Sequence, residues 1–218
     1  MNISTAPLQD QAYDIIKDMI LNEELERNQL YSETKLAKDL EISRTPLRGA
    51  LRGLEQDGYI VIAPSRGFMI RTLDRQGLKE SIEIRAAIEG YCAYRLAGEE
   101  PNEENKKLIA RLGDIIAELE KVSKDDSKIN EYIELDHEFH MQIINHIGNQ
   151  IQLSQIQRIY YLMKQTSKEA LKQKGRGKAT HDEHIKVFNA IKDRKPEEAY
   201  KAMLAHLNAP LELPLELD

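Results

Sequence analysis

The chain has 218 residues, 41% of them hydrophobic and 31% charged, and a net charge of −6. That length allows two modest domains, each with its own core, and no apolar run is long enough to predict a bilayer span. The single cysteine, Cys92, excludes an intrachain disulfide framework and suits a reducing cytoplasm; Met1 leads into polar residues, so no secretory signal is expected.

In chain order, the first predicted element is a helix with Ala12, Ile15, Ile16, Met19 and Ile20 on one apolar face. Asn28, in Arg27-Asn28-Gln29, can take a left-handed turn conformation before the next element. Ser32 to Leu40 reads as a short helix capped by Ser32. After a tight turn at Glu41-Ile42, Ser43 caps a third helix that tolerates Pro46 in its first turn. There Leu47, Ala50, Leu51 and Leu54 recur at the spacing of a helix buried on one side, while Arg44, Arg48 and Arg52 climb the neighbouring arc with Thr45 beside them. Two short helices with a tight turn, the second basic, read as helix-turn-helix. Guanidinium forks match phosphate oxygens and the O6/N7 edge of guanine; a solvated basic face on an ordinary helix is the alternative. Asp57-Gly58 ends the helix. Tyr59-Ile60-Val61-Ile62 and Phe68-Met69-Ile70-Arg71 are β-prone and flank the turn Pro64-Ser65-Arg66-Gly67, forming a hairpin wing. Arg66 at its tip could enter a minor groove, and Gly67 would let the backbone approach a phosphate closely. Between residues 35 and 71 seven cationic side chains face four acidic ones, a local charge of +3, so the acidic excess lies elsewhere.

Past a polar connector near residue 73 the periods are helical only. Six helices are predicted: one through Ile82, Arg85, Glu89 and Cys92 to about Ala97; one from about Asn102 to Val122; one from Lys128 to Ile147, ending at Gly148; one from Gln150 to about Lys172; one from about Lys178 to Lys192; and one from Pro196 to about Asn208. The tail from Pro210 is expected to be extended or frayed. The fold class is therefore mainly α, an N-terminal winged helix-turn-helix over residues 1–72 followed by an all-α six-helix bundle over 73–218.

Asp136 and His140 stand at i, i+4, with His184 and His206 on the last two helices. One carboxylate and three imidazoles would make a first-row metal site with a position open; chance placement of the histidines is the alternative. Arg85, on a largely apolar face, either pairs with Glu89 one turn on or offers a fork to an effector carboxylate. His137 is expected to be exposed, His146 to serve terminal carbonyls, and His181 to lie at the surface.

The motifs Glu33-Thr34-Lys35-Leu36-Ala37, Ser43-Arg44-Thr45-Pro46-Leu47-Arg48, Leu51-Arg52-Gly53-Leu54-Glu55, Asp57-Gly58-Tyr59 and Arg66-Gly67 resemble the GntR-type bacterial transcription regulators. Residues 73–210 resemble the helical FCD domain of the FadR branch, through Glu83-Ile84-Arg85, Ile88-Glu89, Asp136, Phe139-His140, Gly148-Asn149, Glu183-His184-Ile185 and Met203 to His206-Leu207; six helices point to the VanR-like subgroup. The resemblance implies DNA contacts from Ser43, Arg44, Thr45, Arg48 and Gly67, an effector contact from Arg85, and metal ligation by Asp136, His140, His184 and His206. It implies a cytoplasmic homodimer, a repressor rather than an enzyme. Its partners would be a double-stranded DNA operator, a small carboxylate effector and a divalent transition metal (Zn, Ni, Mn or Fe), with no membrane. A metalloenzyme-like helical domain with a DNA-targeting head, or a direct metal sensor, are the rival readings. Gly49 departs from the family pattern, which has an acidic residue there, and glycine costs a helix interior about 1 kcal/mol against alanine.

Overall fold

The computed structural model describes residues 7–123 and 125–215. The chain divides into two units: one runs to Thr72 and also takes Arg158–Tyr161, and the other holds Leu73–Gln157 and Leu162 onward.

The first unit contains α1 (Leu8–Leu21), α2 (Glu33–Asp39), α3 (Arg44–Gln56) and the antiparallel hairpin of β1 (Ile60–Ala63) and β2 (Gly67–Ile70), with Ile60 opposite Ile70 and Ala63 opposite Gly67. It is a winged helix-turn-helix. Ser32 caps α2 by accepting from the Lys35 amide. Ser43 occupies the cap position of α3 without a side-chain capping bond, so its hydroxyl has no such local role. Asn28 takes the expected left-handed conformation, φ 60°. Leu47, Leu51, Leu54 and Phe68 are fully buried and form the centre of the core. On α1 only Ala12, Ile16 and Ile20 are buried, and Ile15 is exposed. It sits about 100° around the helix from Ile16, just outside the stripe that α1 presents to α3.

Gly49 and Gly53 lie under α1. A Cβ at Gly49 would fall 2.1 Å from Gln9 Oε1, and one at Gly53 3.2 Å from the Tyr13 ring. Close packing of α1 on α3 therefore offsets their propensity cost. The wing is tied to α3 by the Ile62 amide, which donates to Glu55 Oε1 at 2.8 Å. At its other end Tyr31 bridges to Phe68, with stacked rings 5.5 Å apart. Gly67 is buried, with φ +131°, and a Cβ there would lie 2.0 Å from Tyr31 O. Its glycine is thus required by the domain's own backbone, not by a surface left open to phosphate.

The second unit is helical. α4 (Arg75–Arg85) runs through a π-helical turn, Ala86–Gly90, directly into α5 (Tyr91–Gly98), making one continuous rod. Then follow α6 (Glu103–Val122), α7 (Ile129–Ile147), α8 (Gln150–Leu171), α9 (Arg176–Lys192) and α10 (Pro196–Asn208), completing six rods among the described residues. Asn102 caps α6 through the Asn105 amide, and Gly148 closes α7 at φ +71°. Gly175, at φ +80°, precedes α9, which therefore opens at Arg176, two residues before its predicted start. α10 packs on α9 and α5, and α6 packs on α7 and α9.

The tail is docked over its described length. Ala209–Glu212 forms a short 3-10 turn, Leu211 and Leu215 pack against Leu73, Leu78, Ile82 and Leu162, and Arg75 Nη1 donates to Leu211 O at 3.3 Å. The prolines break the helix, but the leucines still find an apolar surface. Among the described residues no helix is long and apolar enough to cross a membrane.

Gly67→Ala should cost the first unit more than the roughly 1–3 kcal/mol of a strained backbone position, because the methyl also meets Tyr31 O. Urea unfolding followed on that unit checks this; an unchanged midpoint contradicts it.

Candidate functional site

Four buried side chains converge inside the bundle. Asp136 and His140 come from α7, His184 from α9 and His206 from α10, and their ligand-capable atoms all lie within 4.8 Å of one another. His140 Nε2 is 3.0 Å from His206 Nε2 and 3.3 Å from His184 Nε2, and His184 Nε2 is 3.3 Å from Asp136 Oδ1. The four residues singled out from the sequence are therefore brought together as a possible His3Asp metal site.

Two carboxylates stand behind this cluster. His206 Nδ1 meets Glu183 Oε2 at 2.9 Å. His140 Nδ1 lies 2.6 Å from Glu89 Oε2, close but not aligned as a hydrogen bond. Each carboxylate is held by an arginine. Arg85 Nε donates to Glu89 Oε1 at 2.6 Å, and Arg176 Nη1 and Nη2 donate to the two oxygens of Glu183, both at 2.7 Å. Burial alone would raise both carboxyls. Arg85 and His140 instead hold Glu89 well below the usual carboxylate range, and hydrogen bonds from His206 and Arg176 lower Glu183.

These contacts set the tautomers. An ionised carboxylate only accepts, so the Nδ1 facing it carries the proton and Nε2 keeps the lone pair. The Nε2 lone pairs of His140 and His206 then face each other at 3.0 Å. Protonation is a poor escape. Burial, then the neighbouring His206 and His140, push His184 well below the ordinary imidazole value; burial also lowers His206, partly offset by Glu183. A cation between the nitrogens relieves the repulsion. Nitrogens bound to one first-row ion at about 2.0–2.1 Å must stand roughly 3 Å apart, as these do. The donor set therefore fits a metal.

Arg85 takes the ion-pair reading. It pairs with Glu89, and it also lines a cavity of about 30 Å³ shared with Asp136, His206, Tyr132, Thr166 and Arg176. The π turn directly after Arg85 carries Glu89, and both are buried within one rod. Glu183 and Arg176 were missed as parts of the site. Adjacency to His184 was the one signal for Glu183; Arg176, between two glycines, reads from sequence as a surface loop residue.

Three histidines differ from expectation. His137 is half-buried rather than exposed, because α7 is covered over more than one face. His181 is buried, one turn before His184 on the inner face of α9. His146 meets Glu99 Oε2 at 2.8 Å rather than helix-end carbonyls. Glu138 of α7 is paired with Arg111 at 2.6 Å.

On the first unit, Ser43, Arg44, Thr45, Arg48 and Arg52 are all exposed on α3, and Arg66 is exposed at the hairpin turn. Arg48 Nε donates to Glu33 Oε2 of α2 at 2.8 Å, which aims the guanidinium without covering it.

A basic recognition helix with a wing, followed by an all-helical domain, defines a DNA-binding transcriptional regulator. Residues 8–70 match the model for bacterial regulatory proteins of the gntR family, and residues 80–209 match the FCD domain. The chain belongs to the GntR family of regulators, in its FCD-containing form. It is 28% identical over 186 residues to the Nta operon transcriptional regulator of Aminobacter aminovorans, covering 85% of this chain and 84% of that one. It is also 28% identical over 198 residues to the HTH-type transcriptional regulator YdhC of Bacillus subtilis (strain 168), covering 91% and 87%. Its fold is similar to that of Escherichia coli McbR/YncC, at TM-score 0.69 and 19% identity over 94% of this chain and 95% of that one.

Metal-free protein should lose stability on acidification. His184, His206 and His137, the last pushed down to about 3 chiefly by burial, stay neutral when folded, whereas the unfolded chain takes up protons near 6.5. Below that pH the unfolded state binds more protons, so stability falls as pH falls; Glu89 and Glu183, lowered in the fold, add to the loss below about 4.5. Thermal melts of chelator-treated protein from pH 8 to pH 4 test this, and a midpoint constant between pH 7 and pH 5 contradicts it.

Proposed function

We propose that the chain is a metal-containing, acid-responsive repressor, acting as a homodimer with residues 1–72 as the operator-binding domain and 73–218 as the effector-binding and dimerisation domain. The observation that carries the sensing half of this reading is the pair of buried imidazole nitrogens 3.0 Å apart, each fixed by a carboxylate behind it. Asp136, His140, His184 and His206 would hold a divalent transition ion, and the ion would supply an open position for a carboxylate oxygen. The chain's own groups do the rest. Glu89 and Glu183 orient the rings, and Arg85 offers a guanidinium to the acid.

On the DNA side, Arg44, Arg48 and Arg52 would lie along the major groove with Ser43 and Thr45 at the helix start. Arg66 would place the wing tip at the neighbouring groove. Two copies match a two-fold operator; exposed Ile84, Tyr91 and Tyr94 on one rod support an apolar contact between copies. The acid lowers operator affinity to the extent that it binds one arrangement of the dimer more tightly than the other. The small size of the cavity favours, as a second reading, the ion itself as the signal. Operator release on chelation, with no acid present, would select it.

Arg44→Ala or Arg48→Ala should weaken operator binding by at least tenfold, on the scale of one lost bidentate contact of about 1–3 kcal/mol, while the dimer stays folded; wild-type affinity in a mobility-shift titration removes α3 from the interface. His184→Ala should lower retained metal and the melting temperature together, as read by elemental analysis and calorimetry of tag-free protein. Unchanged stoichiometry removes that residue from the site.

A further inference from the structure

Of the four exposed arginines on α3 and the wing turn, one is already engaged. Arg44, Arg52 and Arg66 make no ion pair among the described residues, whereas Arg48 Nε donates to Glu33 Oε2 at 2.8 Å. The fold builds this contact. Glu33 is the first residue of α2, directly after the Ser32 cap, where the helix dipole favours a carboxylate. α2 packs on α3 and brings the two side chains together across fifteen residues of chain. The Glu33 side chain is 20% exposed and that of Arg48 55%. The acid is therefore the held partner and the guanidinium the presented one.

Two consequences follow, one of geometry and one of charge. A guanidinium carries five N–H donors in a planar fork. With Nε committed to Glu33, the edge formed by Nη1 and Nη2 remains, and no other hydrogen bond engages it among the described residues. Beside the Glu33 carboxylate, Arg48 also adds little net positive charge to the surface of α3. A phosphate then gains little by approaching it. A guanine edge differs, because O6 and N7 are neutral acceptors that need paired donors more than charge. Arg44 and Arg52, one turn to either side on the same arc, keep their full charge, which attracts any duplex.

We propose that Glu33 is a positioning residue: it withdraws Arg48 from phosphate binding and reserves the Nη1/Nη2 edge for one guanine in each half-site of the operator. This rests on the recognition-helix assignment above and adds to it a division of labour. Unpaired arginines supply affinity for any duplex, and the Glu33–Arg48 pair supplies discrimination.

The test uses the full chain and two probes, a random-sequence duplex and a duplex that the wild-type protein enriches from a random-sequence library. Glu33→Gln keeps an acceptor for Nε and removes the charge. It should keep the wild-type melting temperature. It should bind the random duplex roughly fivefold more tightly per protomer at about 0.15 M salt, with a log–log salt slope steeper by about 0.9, the scale of one more phosphate neutralised. Preference for the enriched duplex over the random one falls accordingly. The double variant Glu33→Gln with Arg48→Ala has the same net charge as wild type. Its salt slope on the random duplex should match wild type, while the sequence it enriches should lack one guanine per half-site that wild type selects. Unchanged affinity and slope in Glu33→Gln overturn the role of Glu33. A double variant that still selects every guanine, or whose slope is shallower than wild type by about 0.9, overturns the base contact and leaves Arg48 on phosphate or off the DNA. Wild-type protein that enriches no sequence overturns the recognition-helix assignment, and this proposal with it. If Glu33→Gln does not fold, Glu33→Ala read for the same slope takes its place.

Discussion

Three imidazole nitrogens crowded into a buried interior constrain everything around them. They cannot all be protonated, because burial opposes the charge, and the lone pairs of His140 and His206 face each other at 3.0 Å. Glu183 holds the Nδ1 of His206 by a hydrogen bond, and the Glu89 carboxylate stands 2.6 Å from the Nδ1 of His140. His184 Nδ1, by contrast, is buried without a partner, so its orientation rests on packing, including the Phe139 ring 4.7 Å away. Such an arrangement is poor as a stabilising network on its own. It makes physical sense as a site that a cation completes.

The carboxylates in turn need their arginines. Uncompensated, the buried Glu89 would cost several kcal/mol and the partly buried Glu183 less, and Arg85 and Arg176 meet that cost from opposite ends of the chain's order. Arg85 ends α4 and reaches Glu89 across the π turn within one rod; Arg176 opens α9 and reaches Glu183 two turns further along the same helix. In the first unit the arginines follow the other rule. Arg44, Arg48 and Arg52 stay in water, where holding a charge costs little and surface pairs contribute under about 1 kcal/mol. Only Arg48 is steered, by Glu33. One side-chain type thus serves as buried counter-ion in the bundle and as exposed fork on the head. A net charge of −6 is compatible with both, since the local excess around α3 is positive.

The helices and the wing were legible because their signals are local. The leucine spacing of α3, the left-handed Asn28, the helix stop at Gly58 and the cap Ser32 each act within one or two turns of chain. The metal-type cluster was legible only in part. Its i, i+4 aspartate and histidine are local, but His184 and His206 join them through the packing of α7, α9 and α10, and the family resemblance supplied that link. Features decided by a neighbouring element were misread. Ile15 belongs to the right period yet falls outside the strip α3 covers. Gly49 looks like a helix defect until α1 lies across it. The tail's prolines argued for fraying, while the apolar patch that Leu211 and Leu215 cover is assembled from Leu73, Leu78, Ile82 and Leu162. Arg176 is the sharpest case: two flanking glycines signal a loop, and only the fold turns its guanidinium inward.

The chains Arg85–Glu89–His140 and Arg176–Glu183–His206 run from the cavity wall to the cluster by two separate routes. Any anion that draws on either guanidinium competes with the glutamate behind it, and that glutamate sets the basicity of a ring nitrogen facing the proposed ion. Acid and metal therefore cannot bind independently if both use this cavity. Linkage makes the dependence reciprocal: whatever factor the ion adds to acid affinity, the acid adds to ion affinity. Two chains rather than one also explain why so much charge is buried at a place that packing alone would fill with leucine. Each chain would give the surrounding helices a polar contact sensitive to occupancy of the proposed site, and α9 carries Arg176, Glu183 and His184 on one helix. A change at the cavity is then felt by α9 as a unit, and by α10, which packs along it through His206.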